Sequence, residues 1–140
     1  MSTRGYTYDS PGERDEQISH IAHAAATGTE TLCVWRAPCI GKLMGIDWVP
    51  SAAVTGAATN YTNINLINRG TDGNSTTEIA NKDFASGTNA ADFTAVAIYS
   101  PAAGSELALS EGQVISCTFE KVGNGLDLPS GNFVFTYLTK

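Results

Sequence analysis

The sequence predicts an all-β protein, an antiparallel β-sandwich of jelly-roll-like build, on three observations. Apolar runs recur at intervals of roughly ten to twelve residues, each bounded by Gly, Pro, Asn or Ser, which is the spacing of short strands joined by turns. The best of these runs alternate with a period of two, as where Phe133, Phe135 and Tyr137 oppose Val134, Thr136 and Leu138. Composition agrees: 42% of residues are hydrophobic, only 16% are charged and 14 are glycine, a balance suited to a β-structured shell more than to a helical enzyme. The 140 residues form one domain, large enough to bury a substantial core.

Residues 1–16 read as an extended N-terminal arm and residues 17–140 as the sandwich. Six of the first sixteen residues are charged, and Ser10-Pro11-Gly12 interrupts regular structure. Such a segment cannot bury enough apolar surface to offset its own ordering entropy. It is either a frayed end or an arm on a neighbouring subunit, with Tyr6 and Tyr8 as anchors and Arg4 and Arg14 set among Asp9, Glu13, Asp15 and Glu16. Gln17–Thr27 can be drawn as helix or strand; the flanking Thr27-Gly28-Thr29 and the β segments that follow favour strand. A strand would send His20 and His23 to opposite faces, which argues against a metal pair.

Thr31–Pro50 is the densest apolar stretch and reads as two strands joined at Ala37-Pro38, because proline cannot donate to a ladder. In the second strand Ile40, Met44, Ile46 and Trp48 are expected on one face, with Gly41 and Gly45 permitting bends. Tyr61–Arg69 alternates with Ile64 and Leu66 together; Gly70–Asn74 is a turn, so a hairpin to the weaker strand Ser75–Phe84 follows. The Asp72/Asn74 spacing lacks the bidentate Glu that a calcium loop needs. Asp92–Ser100 reads as a strong strand with Phe93, Ala95, Ala97 and Tyr99 opposing Thr94, Val96 and Ile98. Leu107–Leu109 leads through a Ser110-Glu111-Gly112 turn into Gln113–Val122, where Ile115, Cys117 and Phe119 share a face. Gly123-Asn124-Gly125 turns the chain into the closing strand, Asn132–Leu138. With about eight or nine strands, a jelly roll is favoured among sandwiches. Strands apolar on both faces predict that one face packs against another chain.

Chemistry is sparse. A net charge of −6 with scattered basic residues argues against a nucleic-acid partner. No apolar run is long enough for a membrane span, and the polar N-terminus lacks the apolar core of a secretory signal. Three cysteines match no zinc spacing; Cys33 and Cys39 could pair across the corner, but reduced core thiols, suited to a cytoplasm, are expected for Cys33, Cys39 and Cys117. No nucleophile elbow or phosphate-binding glycine loop is present, so no catalytic residue, cofactor or metal is expected. Trp35 and Trp48 read as core or interface anchors more readily than as sugar platforms.

Three blocks carry a resemblance: Arg36-Ala37-Pro38-Cys39-Ile40-Gly41-Lys42-Leu43, Leu109-Ser110-Glu111-Gly112-Gln113-Val114-Ile115 and Val122-Gly123-Asn124-Gly125-Leu126-Asp127-Leu128-Pro129. Over residues 30–138 the chain resembles the small β-sandwich cementing (head decoration) proteins of tailed bacteriophages, with Gln113 standing where that pattern carries an acidic residue. The resemblance implies a jelly-roll-like virion subunit without catalytic residues. It would be assembled in the host cytoplasm and bound outside an icosahedral head, bridging major capsid proteins. Self-association, as a dimer ahead of a trimer, is the accompanying expectation. The same phrases occur in phage fibre and tail modules. The competing reading is therefore a carbohydrate- or receptor-binding β-module that displays Trp35, Trp48, Tyr61 or Tyr99.

Overall fold

The structure, a computed structural model, describes residues 14–21 and 28–139. Nine strands follow in order: β1 (Arg14–Ile21), β2 (Glu30–Arg36), β3 (Gly41–Pro50), β4 (Tyr61–Asn68), β5 (Thr77–Asp83), β6 (Val96–Tyr99), β7 (Leu107–Leu109), β8 (Val114–Val122) and β9 (Gly131–Thr139). They build a five-stranded sheet, β1-β9-β3-β6 with β7 also on β3, and a four-stranded sheet, β2-β8-β4-β5. Every strand pairing is antiparallel.

The pairings are nested. β4 meets β5 across the Gly70–Asn74 turn, β3 meets β6 and β7, β2 meets β8, and β1 meets β9. This is one long antiparallel ribbon folded at the β4–β5 hairpin and rolled up, so that β9 also joins β3 and β8 joins β4. The roll is the jelly-roll arrangement, and it places sequence neighbours β1, β2, β3 and β4 alternately in the two sheets.

The core lies between the sheets. From β9, Phe133, Phe135 and Tyr137 are buried; from β8, Ile115, Cys117 and Phe119; from β4, Ile64 and Leu66. The Trp35 ring spans the gap, stacked on Phe135 at 5.1 Å and 7° and meeting Tyr137 edge-on at 5.2 Å. Trp48 meets Phe84 edge-on at 5.4 Å. Offset and edge contacts of this kind each add roughly 0.5–1.5 kcal/mol beyond area burial. The Tyr137 hydroxyl donates to the Cys39 carbonyl at 2.7 Å, fixing the Ala37-Pro38 corner to the closing strand.

Several sequence expectations need correction. The large side chains that β3 buries in the core are Leu43, Ile46 and Trp48, while Ile40, just before it, is exposed and Met44 is half-buried. The cause is a bulge against β9 between Leu43 and Gly45, which puts two residues opposite one and moves the inward face from odd to even positions. The Asp92–Ser100 strand shrinks to Val96–Tyr99. Its first residues form a turn in which the Phe93 N–H donates to the Pro50 carbonyl (2.9 Å) and Phe93 takes a positive φ of 53°. Phe93 therefore leaves the face it was expected to share with Tyr99. The sandwich starts at Arg14 rather than Gln17, because Arg14, Asp15 and Glu16 already pair with Leu138, Tyr137 and Thr136. Residues 1–13, with Arg4, Tyr6 and Tyr8, lie outside the described residues, as does His23. The cysteines are free, yet only Cys117 is a core residue; Cys33 is exposed and Cys39 half-buried. Cys33 precedes the bulge in β2 that turns both Val34 and Trp35 inward.

Candidate functional site

The most distinctive surface is the outer face of the five-stranded sheet. On β1 the inward positions are Asp15, Gln17, Ser19 and Ile21, and the outward ones are Arg14, Glu16, Ile18 and His20. A polar inner row on an edge strand is held by a specific bond: the Trp35 indole N–H donates to Gln17 Oε1, linking the two sheets across the core. That bond sets the phase of β1. It turns Ile18 out to solvent, where it is 69% exposed. A one-residue slip would bury Ile18 and break the link.

Register extends the face across the sheet. Ile18 stands opposite Val134, then Asp47 and Ala97; His20 stands opposite Asn132, then Val49. His20 Nδ1 and Asn132 Oδ1 are 3.1 Å apart, so the ring nitrogen is the donor. Beside them is a shallow hollow of about 140 Å³ lined by His20, Val49, Pro50, Ser51, Asn132 and Phe93. The Phe93 side chain is 75% exposed. A bulky aromatic residue at positive φ is a backbone outlier that costs roughly 1–2 kcal/mol, so its surroundings hold it there. The face thus presents one strained aromatic and one aliphatic residue, rimmed by polar groups, in the pattern of an interface anchor.

The shifted titratable groups elsewhere are set by burial and by local hydrogen bonds. Burial pushes the Cys117 thiol up, and burial with Glu111 and Asp15 nearby pushes Cys39 up, so both are held as thiols. Backbone N–H groups lower the carboxyls of Asp72 and Glu106, through Asn74 and Gly104 respectively. Burial lowers the ammonium of Lys121 and raises the phenol of Tyr99, whose oxygen accepts the Leu107 N–H. The Asp72/Asn74 pair closes its own turn, with Asp72 Oδ1 accepting the Asn74 N–H at 3.1 Å. His20 sits outside one sheet and Cys117 inside the other, so the two do not meet.

Of the residues singled out from sequence, Trp35 and Trp48 are buried in the core and cannot anchor a partner at the surface. Arg14 is exposed on β1, next to the apolar face; Tyr61 and Tyr99 are half-buried. Ile18 and Phe93 were missed as surface residues. Local periodicity marks neither: the polar Asp15, Gln17 and Ser19 take the inward face of β1, which alternation alone would assign to Ile18, and nothing local marks Phe93. No protein family, curated protein or solved structure matches this chain.

Proposed function

We propose that this chain is a structural virion protein that binds the outside of an icosahedral phage head and cements neighbouring major capsid proteins. The observation that carries this reading is the exposed pair Ile18 and Phe93 on one outer sheet face, with Phe93 held at positive φ. A fold does not keep a strained aromatic in water for its own stability, so the ring is read as made for a protein surface. The two sheets leave β1, β2 and β5 as edge strands, which suits bridging to other subunits. Residues 1–13 immediately precede β1 in sequence. As a homo-oligomer over a local symmetry axis, the chain would cover the remaining apolar area.

The test is co-sedimentation with heads assembled without this protein. The full chain is expected to bind and to raise the temperature at which heads break. Ile18→Asp with Phe93→Asp should lose binding while staying folded, and removal of residues 2–13 should weaken attachment at unchanged melting of the free protein. Binding unaffected by both changes refutes the reading. A second reading, a carbohydrate-binding module, is favoured by one observation: the Phe93 ring borders a hollow with His20 and Asn132, an aromatic platform beside hydrogen-bonding groups. Glycan binding abolished by Phe93→Ala, with no affinity for heads, would select it.

A further inference from the structure

The strands that end the two sheets are not alike. β2 and β5 each carry a bulge, at Val34 and at Ile79, that breaks their register with the strand inside them. β6 and β7 are short, with 4 and 3 residues. Bulges and short edges are devices that keep a sheet from pairing with another chain. β1 has neither: its 8 residues run in unbroken register with β9, from Arg14 opposite Leu138 to Ile21 opposite Gly131. It holds no proline and no lysine, and among the described residues no strand pairs with its far side. Its inward carboxylate, Asp15, already accepts Gln17 Nε2 at 3.3 Å. Among the described residues, β1 is the one long, regular edge that the fold leaves open.

The sequence of β1 is complementary to itself when two copies run antiparallel. A two-fold axis normal to the sheet keeps both outer faces on one side, so outward residues oppose outward ones. Such an axis passes beside a single residue. Set at Ile18, it places Ile18 against the second copy's Ile18, and Glu16 against the second copy's His20, twice, all on the outer face. On the inner face Gln17 meets Ser19, polar against polar. Set at Gln17, the axis would oppose Glu16 to Ile18 and Arg14 to His20; set at Ser19, it would oppose Ile18 to His20. Only the Ile18 register matches apolar with apolar and acid with base, the pairs that stabilise an antiparallel ladder. His20 Nδ1 is already bonded to Asn132 Oδ1 of its own subunit, which leaves Nε2 for the carboxylate.

We infer that β1 is the edge through which this chain pairs with a second copy of itself, antiparallel and about an axis at Ile18. Two five-stranded sheets then become one continuous sheet, and the open backbone groups of β1 find their partners in the ladder. The two Ile18 side chains come together on the outer face and double the apolar patch it presents. The inference rests on the self-association in the proposed function and names its surface; it does not rest on attachment to heads. A strand pair buries less than a standard interface, so a dissociation constant of roughly 1–100 μM is expected.

The experiment is sedimentation equilibrium of the full chain without heads, joined to cysteine cross-linking in a Cys33→Ala background. The unaltered chain should sediment as a monomer–dimer equilibrium. Glu16→Lys should weaken the dimer about tenfold, because the axis makes each substitution act twice, and adding His20→Glu should restore it. Under a mild copper–phenanthroline oxidant, Ile18→Cys should give a covalent dimer, since opposed Cα atoms lie about 4.5–5.5 Å apart, within the span of a disulfide. Arg14→Cys, on the same strand and face, should not, because the two copies of that residue would lie about 27 Å apart. All four positions are at the surface, and melting of each variant checks that it folds. A chain that stays monomeric at ~1 mM overturns both this inference and the self-association it rests on. A dimer that is unmoved by Glu16→Lys, or that cross-links no faster through Ile18→Cys than through Arg14→Cys, overturns the β1 edge alone.

Discussion

Replacing Phe93 by asparagine should move stability and attachment in opposite directions. Asparagine tolerates positive φ far better than phenylalanine, so the change recovers part of the roughly 1–2 kcal/mol stored in the backbone at φ 53°. The opposing loss is small. With Phe93 75% exposed, only about a quarter of the ~200 Å² that an aromatic side chain carries is buried. At ~25 cal/mol per Å² that buried quarter is worth about 1 kcal/mol. The net effect on folding is therefore between about zero and +1 kcal/mol, or up to ~4 °C in melting temperature for a domain of this size. The Phe93 N–H bond to the Pro50 carbonyl is a backbone contact and survives the change. Thermal denaturation of the free protein, with head co-sedimentation on the same samples, reads both quantities. Destabilisation by more than about 2 kcal/mol would show the ring to be part of the packing, and the strain argument would fall. Unchanged attachment would remove Phe93 from the interface.

Other outcomes follow from the core. A Cβ on Gly41 would lie 2.4 Å from the Leu138 carbonyl oxygen and 2.8 Å from the Tyr137 ring, so Gly41→Ala should destabilise by about 2 kcal/mol or more in urea denaturation. Cys117→Ser buries a hydroxyl where the thiol makes no hydrogen bond among the described residues and should cost roughly 1–3 kcal/mol, whereas Cys33→Ala, at the surface, should fall within about 0.5 kcal/mol of neutral. Iodoacetamide should label Cys33 in the native state and Cys117 only on unfolding, a difference read by mass spectrometry. Burial pushes the Tyr137 phenol up to about 12 from an ordinary 10.0. Because the folded value is the higher, this stabilisation is complete below pH 10 and is lost as pH rises through about 12. Tyr137→Phe should flatten that alkaline limb and cost about 1 kcal/mol at neutral pH through the lost bond to Cys39.

Much of the sandwich was legible because period-two alternation survives wherever a strand is regular. β9 and β8 show it plainly: Phe133, Phe135 and Tyr137 and then Ile115, Cys117 and Phe119 all fell on the buried faces expected of them. It failed at β3 because a bulge changes which residues face in, and bulges are set by the partner strand rather than by local composition. It failed at Asp92–Ala95 because the Pro50 carbonyl, remote in sequence, captures the Phe93 N–H and makes a turn from a segment of high β propensity. The nesting of β1 on β9 was invisible for the same reason: His20 and Asn132, which touch, are 112 residues apart. The outer faces were the least legible part. Trp35 and Trp48, the natural anchors by residue type, fill the core, while Ile18 is turned outward by a hydrogen bond between Gln17 and Trp35 that no periodicity reveals.

The central claim is that this jelly roll attaches through the outer face of β1, β9 and β3. Its most direct test is an electron-microscopic reconstruction of heads incubated with the full chain, at a resolution that places side chains. The account predicts density on the outer head surface with Ile18 and Phe93 buried against a major capsid protein or a second copy. Heads left bare, or a bound chain with Phe93 in solvent and the sheet turned away from the shell, would contradict it.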